Sequence, residues 1–374
     1  MSTSAVRVPF LSLVPGEDRP AIEAAIARVV ASGWYVLGPE VEAFESEFAS
    51  ACRAPHAVGV GTGTDALALI LRALGIGPGD EVITTPVSAA YSALAVIMAG
   101  ARPVFADIDP VRLTLDPAAV ERAIGPRTRA ILPVHLYGQP ADMAALERLA
   151  SDHRLALVED CCQAHLASAG GRPVGTIGIA GAFSFYPTKN LGALGDGGAI
   201  VTRDRALADR VKRLRNGGQT DRYHHQEAGI NSRLDEMQAA ILRARLPFLA
   251  GWTARRRVLA GEYRRALASV NAGVEAVVVP PELDAGHVYH LFVVRSRARQ
   301  ALQAALAARG VETLVHYPVP ITKQPALFAA DPVDCPIANR ACDEVLSLPL
   351  HPAMTIETVR AVAEAIQEGH ECAH

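Results

Sequence analysis

Residues 56–74 read HAVGVGTGTDALALILRAL, and this stretch decides the fold. His56–Val60 is short and apolar, as a buried strand is, whereas Asp65–Leu74 repeats apolar residues at helical spacing. A glycine-rich turn joins the two, so the segment opens a βαβ unit. The alternation then continues. Glu81–Thr84, Pro103–Ala106, Ala130–Val134 and Leu155–Glu159 read as strands, with helices expected at Tyr91–Ala99, Pro117–Ala123 and Met143–Ala150. Several of these strands are apolar throughout, which is the pattern of a parallel sheet covered on both faces.

Upstream, Arg19–Ala31 and Val41–Ala51 have helical spacing, and Pro39 sits just inside the start of the second. Downstream, Gly181–Thr202 reads as a strand, a long glycine-rich loop and a returning strand. Helices are expected at Ala206–Arg215, at Leu234–Arg245 (ended by Pro247) and at Ala254–Leu267. In the remaining chain Tyr289–Val294 and Glu312–His316 read as strands, and Gln300–Ala308 and Ile356–Gln367 as helices. The expected architecture is α/β: a large domain over residues 1–248 with a mostly parallel central sheet flanked by helices, and a smaller α/β domain over 249–374.

Composition narrows the function. Among 374 residues, 36 basic and 39 acidic side chains give a net charge of −3, and no long run of either sign marks a nucleic-acid groove or membrane patch. No stretch approaches the ~20 apolar residues that span a bilayer, and the amino terminus lacks the pattern of a secretory signal. Cys52, Cys161, Cys162, Cys335, Cys342 and Cys372 fit neither a zinc spacing nor a disulfide framework. A reduced, cytoplasmic enzyme acting on small molecules is expected, and no metal.

Four segments carry chemistry, most of them where predicted strands end and ligands bind in open α/β sheets. In VGVGTGTD, residues 58–65, the glycines admit a phosphate to the backbone at a helix N-terminus. Thr64 and Asp65 can instead simply cap that helix. Gly59, Gly61 and Gly63 with Asp80 also imitate a dinucleotide fingerprint, although the third glycine is misplaced. In LALVEDCCQ, residues 155–163, Asp160 ends a strand where a carboxylate can keep a pyridine nitrogen protonated. A turn aspartate is the plain alternative. In GAFSFYPTKNLGALGDGG, residues 181–198, Lys189 follows a buried strand, and a neutral amine there can form a Schiff base. Ser184, five residues earlier, can hold a phosphate, while an exposed loop lysine is the bland reading. In GINSRLDE, residues 229–236, Asn231 or Ser232 can cap a helix with Asp235 or Glu236. Alternatively Asn231 and Arg233 reach an anion, in a neighbouring subunit for example.

In this order the segments closely resemble the family of DegT/DnrJ/EryC1/StrS-type pyridoxal-phosphate-dependent sugar aminotransferases, of aminotransferase fold type I. The resemblance runs from about Val8 to about Pro352, and its most specific pieces are SGWYVLGPEVEAFE, VEDCCQAH, FSFYPTKNLGALGDGGA and GINSRLDEMQAA. It implies that Lys189 forms the internal aldimine and then acts as the base, and that Asp160 pairs with the pyridine nitrogen. Gln163 would lie near the cofactor's phenolic oxygen and Cys162 beneath the ring. Gly63, Thr64, Asp65 and Ser184 would cradle the phosphate, joined by Asn231 of a second copy in an obligate homodimer. Tyr186, Arg233, His316 and Tyr317 would face substrate.

Two positions depart from the family pattern. Where an aromatic residue normally stacks on the ring, within Pro-x-x-Thr-Phe, this chain has Ala90, with Tyr91 next to it to take the role. Thr322 stands where a histidine is common. The resemblance implies ping-pong transfer of an amino group from L-glutamate to a nucleotide-linked keto sugar. Gln163 and HVYHLFVVR, residues 287–295, lean toward a 3-keto (deoxy)hexose on a pyrimidine nucleotide, with a 4-keto sugar or keto cyclitol second. Related dehydratases lack the lysine that this chain keeps. Two rivals of other classes are a nicotinamide-dependent oxidoreductase and a regulatory protein that binds the cofactor without turnover.

Overall fold

The computed structural model describes residues 8–268, 277–327 and 333–371. Cys372 and the start of the amino-terminal segment lie outside them. The chain opens with α1 (Arg19–Ser32) and α2 (Pro39–Ala51), followed by β1 (His56–Val60) and α3 (Gly63–Ala73). Next come β2 (Glu81–Thr84), α4 (Tyr91–Met98), β3 (Arg102–Phe105), α5 (Pro117–Ala123), β4 (Thr128–Leu132), α6 (Met143–Asp152) and β5 (Ala156–Asp160). A small hairpin, β6 (Ser168–Ala169) and β7 (Arg172–Pro173), leads to the long strands β8 (Ala180–Ser184) and β9 (Gly198–Thr202).

These strands form one seven-stranded sheet in the order β1-β9-β8-β5-β4-β2-β3. Every pairing from β8 to β3 is parallel, while β9 runs antiparallel to both neighbours. Alternate residues of each strand enter opposite cores, as strand geometry requires. Val58, Val82, Ala130, Leu132, Val158 and Ile200 pack under α3 and α4. Ala57, Phe183, Ala199 and Val201 face Phe44 and Phe48 of α2, and Ile83, Ile131 and Leu157 face α5 and α6. With both faces covered, the strands had to be apolar throughout, and α/β is the observed class.

The sheet order removes the dinucleotide reading. A dinucleotide fingerprint belongs to a strand inside a parallel sheet, whereas β1 is an edge strand paired antiparallel. Asp80, its supposed ribose ligand, accepts from the Gly77 N–H at 3.0 Å and pairs with Arg129.

After β9 come α7 (Arg205–Leu214), a short hairpin of β10 (Gln219–Asp221) and β11 (His224–His225), and α8 (Glu236–Arg245). Pro247 does end α8, but a single 3-10 turn absorbs it. The long α9 therefore starts at Leu249 and runs to Ala266, five residues earlier than its sequence suggests. Beyond it lie β12 (Phe292–Arg295), α10 (Arg299–Ala308), α11 (Pro336–Glu344), β13 (Val345–Leu348) and α12 (Ile356–Glu371). Leu259 and Tyr263 of α9, Phe292, Leu346, Leu348 and Val362 form a second core, which Val8 joins from the other end of the described chain.

Two expected strands differ. Glu312–His316 is not a strand: it contributes one bridge, Leu314 to Ser347, beside the Val8–Val311 bridge. Tyr289 has φ +46°, which no strand tolerates, so pairing begins at Phe292. The β12 partner is β13, which the sequence reading did not identify.

Candidate active site

The carboxyl ends of the parallel strands open onto a cleft of about 620 Å³. Three backbone features bring its residues together. The turn after β1 supplies Thr62, Gly63 and Thr64; the end of β5 supplies Asp160, Cys162 and Gln163; the β8–β9 connection supplies Ser184, Tyr186 and Lys189. Tyr91 at the start of α4 and Tyr317 from the carboxyl-terminal part, both expected from sequence, also line it. Val134, Ser88, Ser92 and Asp196 also line the cleft, and the sequence reading had not singled them out.

Thr62, rather than Thr64 or Asp65, caps α3: its hydroxyl oxygen accepts from the Asp65 N–H at 3.0 Å. Thr64 is thereby free to face the cleft. The Asp65 carboxylate turns the other way, onto the Ser232 hydroxyl at 2.8 Å, which also receives the Gly61 N–H at 2.9 Å. Asp65 is therefore a brace between the turn and the chain before α8, outside the cleft. At Gly63 no side chain fits, since a Cβ would stand 2.7 Å from Cys162 Sγ and 2.8 Å from Ser184 Cβ. The helix terminus is thus pressed against the end of β5 and the end of β8.

Asp160 is buried, and both carboxylate oxygens are engaged. The Ser92 hydroxyl donates to Oδ2 at 2.7 Å and the Cys162 N–H to Oδ1 at 3.1 Å. Gln163 is held at both ends: its Oε1 accepts the Tyr137 N–H at 2.7 Å, and its Nε2 donates to the Tyr317 hydroxyl at 3.1 Å. Burial pushes the Lys189 ammonium below its ordinary value, only partly offset by Cys162 and Asp160 nearby. Lys189 is thus biased toward the neutral, nucleophilic amine. Burial and then Asp160 push the Cys162 thiol well up, so it stays a protonated packing group. Behind the loop, the His165 ring bonds the Ser184 carbonyl at 2.8 Å and is driven down to about 3 by burial and by Lys189.

Other expected residues lie apart from the cleft of this chain. Asn231 is exposed, and Arg233 donates to the Asn216 side chain at 3.1 Å. Neither caps α8. Glu236 instead reaches back to accept the N–H groups of Gly38, Glu40 and Val41 at 2.8–2.9 Å, capping α2 across the fold. His316 does not line the cleft but stands next to Tyr317, its Nδ1 2.8 Å from the Ser347 hydroxyl. Burial and Lys189 lower it to about 4, so its ring is neutral. Tyr91 and Tyr186 are 63% and 52% exposed at the cleft, side chains open to a ligand or a second chain.

His135, Glu159 and Cys161 lie close enough together to suggest a metal. Their hydrogen bonds leave no ligand free. Glu159 accepts the N–H groups of Gly175, Ile177 and Gly178 at 2.8 Å each and faces His135 Nε2, while His135 Nδ1 accepts from the Ala141 N–H. The trio is a buried polar brace. Cys52, Cys161, Cys162, Cys335 and Cys342 are all free thiols. Among the described residues, no helix is long and apolar enough to cross a membrane.

The residues fit a phosphorylated pyridine aldehyde. A glycine-tight helix N-terminus and Ser184 suit a phosphate, Asp160 suits a ring nitrogen, and Lys189 is an amine held toward its neutral form. Comparison with known proteins agrees. The profile of the DegT/DnrJ/EryC1/StrS aminotransferase family matches residues 17–367. A dTDP-3-amino-3,4,6-trideoxy-alpha-D-glucose transaminase of Streptomyces venezuelae is 51% identical, covering 98% of this chain and 97% of that protein. The erythromycin biosynthesis sensory transduction protein EryC1 of Saccharopolyspora erythraea is 50% identical, covering 97% and 99%. Among solved structures, S. venezuelae DesV in complex with a ketimine intermediate superposes with a TM-score of 0.92 at 51% identity, covering 97% of this chain and 98% of that one.

Proposed function

We propose, because the chain belongs to the DegT/DnrJ/EryC1/StrS aminotransferase family and is therefore a pyridoxal-phosphate-dependent aminotransferase, that it transfers an amino group from L-glutamate to a nucleotide-linked 3-keto deoxyhexose. The observation that carries the reading is the meeting of Lys189, Asp160 and the α3 N-terminus in one cleft. Relatives at 51% and 45% identity are named as transaminases of dTDP-3-amino sugars, which favours carbon 3 over carbon 4 or a cyclitol.

Bound pyridoxal phosphate supplies an aldehyde for amino-group exchange and a ring that takes up electrons. Lys189 Nζ, its proton affinity lowered by burial, would hold the aldehyde and would carry the proton at the substrate's reacting carbon. Asp160, fixed by Ser92 and the Cys162 N–H, holds a proton on the pyridine nitrogen. Gly63, Thr64 and Ser184 would hold the phosphate and Gln163 the phenolic oxygen, while Cys162 would support the ring and Tyr91, next to Ala90, would supply the aromatic side chain beside it. Tyr186 and Tyr317, which line the cleft, would meet the sugar, with His316 behind Tyr317.

The catalytic unit is a homodimer. Trp34, Tyr35 and Val36 are each at least 40% exposed, as are Tyr91 and Tyr186 at the cleft, an apolar surface that a second copy would cover. Asn231 and Arg233, outside this chain's own cleft, reach the anionic groups bound to the other copy. The boundary between the cofactor-binding domain and the smaller one falls near residue 248, with Val8 joining the core of the smaller one.

The test runs the reaction in reverse. Supplied with 2-oxoglutarate and dTDP-3-amino-3,4,6-trideoxy-α-D-glucose, the cofactor-loaded protein is expected to form L-glutamate. Glutamate produced only from a 4-amino sugar would move the proposal to that carbon. No exchange with any amino sugar or with glutamate, despite bound cofactor, would favour a regulatory protein.

A further inference from the structure

Tyr137 belongs to no expected site, yet it is hydrogen-bonded to Gln163 of the cleft and to the His316 carbonyl beside Tyr317. Its backbone takes φ +60° and ψ 5°, a left-handed conformation that is unfavourable for a residue with a Cβ and persists only where surroundings hold it. The surroundings here are explicit. The Tyr137 N–H donates to Gln163 Oε1 at 2.7 Å, and its carbonyl accepts the Leu291 N–H at 3.3 Å. Its hydroxyl donates to the backbone carbonyl of His316. Gln163 Nε2 then donates to the Tyr317 hydroxyl at 3.1 Å, closing a ring of hydrogen bonds through Tyr137, Gln163, Tyr317 and His316. The ring joins the chain after β4, the chain after β5 and the segment before Pro318. Tyr137 is buried, and burial pushes its phenol well above the ordinary value, so the hydroxyl remains a donor.

We propose that Tyr137 is a positioning residue for the amino acceptor: it sets the His316–Tyr317 segment against Gln163 and so fixes where the sugar lies relative to Lys189. The inference rests on the reading of Tyr317 as a sugar contact. L-Glutamate, a much smaller ligand, would not depend on that segment. The role is therefore visible as a split between the two half-reactions.

Tyr137→Phe removes one hydroxyl and keeps the ring in the core. In the cofactor-loaded protein, rapid-mixing absorbance follows the response to L-glutamate and, separately, to dTDP-3-amino-3,4,6-trideoxy-α-D-glucose. Losing one hydrogen bond is expected to raise the half-saturating amino-sugar concentration by roughly 3- to 10-fold, with the glutamate response changed by less than about 2-fold. Hydrogen exchange in residues 311–321 should quicken in the same variant while the β8–β9 loop keeps its wild-type rate. Equal losses in both half-reactions, or unchanged exchange in 311–321, would overturn the proposal. Should the wild type respond to glutamate and not to the amino sugar, the acceptor assignment fails, and the clamp then stands or falls on the exchange measurement.

Discussion

Asp160 makes the sharpest demand on a single side chain in the cleft. Two donors, the Ser92 hydroxyl and the Cys162 N–H, fix both of its oxygens, so its orientation is set before any ligand arrives. Asp160→Asn keeps size and shape and removes the ability to hold the pyridine nitrogen protonated. Glutamate-driven turnover is expected to fall on the order of 10²–10³-fold, the usual scale for losing a preorganised electrostatic partner, with the melting temperature little changed. Single-turnover kinetics checks this, and a variant within about 3-fold of wild type would exclude the role. Asp160 at a strand end and Lys189 in a glycine-rich loop could be singled out as candidates, but a turn aspartate and an exposed lysine were the plainer readings, and only the family resemblance gave them roles. Ser92 could not be singled out. A serine in the apolar run YSALAVIM carries no mark of its partner, which lies 68 residues away at the end of β5.

At the scale of elements, local chemistry was legible and borrowed chemistry was not. The strand-loop-strand of 180–202 could be read because its glycine-rich loop separates two short apolar runs. The caps of α5, α6 and α7 are local aspartates, Asp116, Asp142 and Asp204. By contrast α2 begins at Pro39 with no side-chain cap of its own, and Glu236 supplies one from across the fold. The apparent capping box at GINSRLDE is therefore spent elsewhere: Glu236 on α2, and Ser232 on the turn that presents Thr64. Expected strand 312–316 failed for a similar reason. Val315 packs against the two cores while Leu314 is exposed, and only Leu314 finds a ladder partner. Periodicity reports burial, and it does not report pairing.

Across the described residues, several histidines are buried without charge. Burial lowers His165 and His287 to about 3 and His316 to about 4, and pushes His290 well below its ordinary value. Each is neutral in the folded protein and binds a proton near pH 6.5 once unfolded. Below that pH the unfolded chain takes up more protons, so stability is fully present above about 6.5 and is lost as pH falls toward 4. Each such histidine costs up to about 1.4 kcal/mol per pH unit in that window. Urea denaturation at pH 7.5, 6 and 5 should show a midpoint that drops progressively, and a flat midpoint would contradict the buried neutral state. The parallel sheet and its helices followed from strand–helix alternation alone. The second core could not be foreseen in full, since Val8 enters it from the opposite end of the described chain.

The central claim is that the cofactor is carried on Lys189 and exchanges an amino group with glutamate. Borohydride reduction of the pyridoxal-phosphate-loaded protein, followed by peptide mass analysis, tests it in one measurement. A pyridoxyl adduct on Lys189 alone is expected, absent when L-glutamate is added before the borohydride, with no adduct in Lys189→Ala. An adduct on another lysine, or one on Lys189 that glutamate does not prevent, would contradict it.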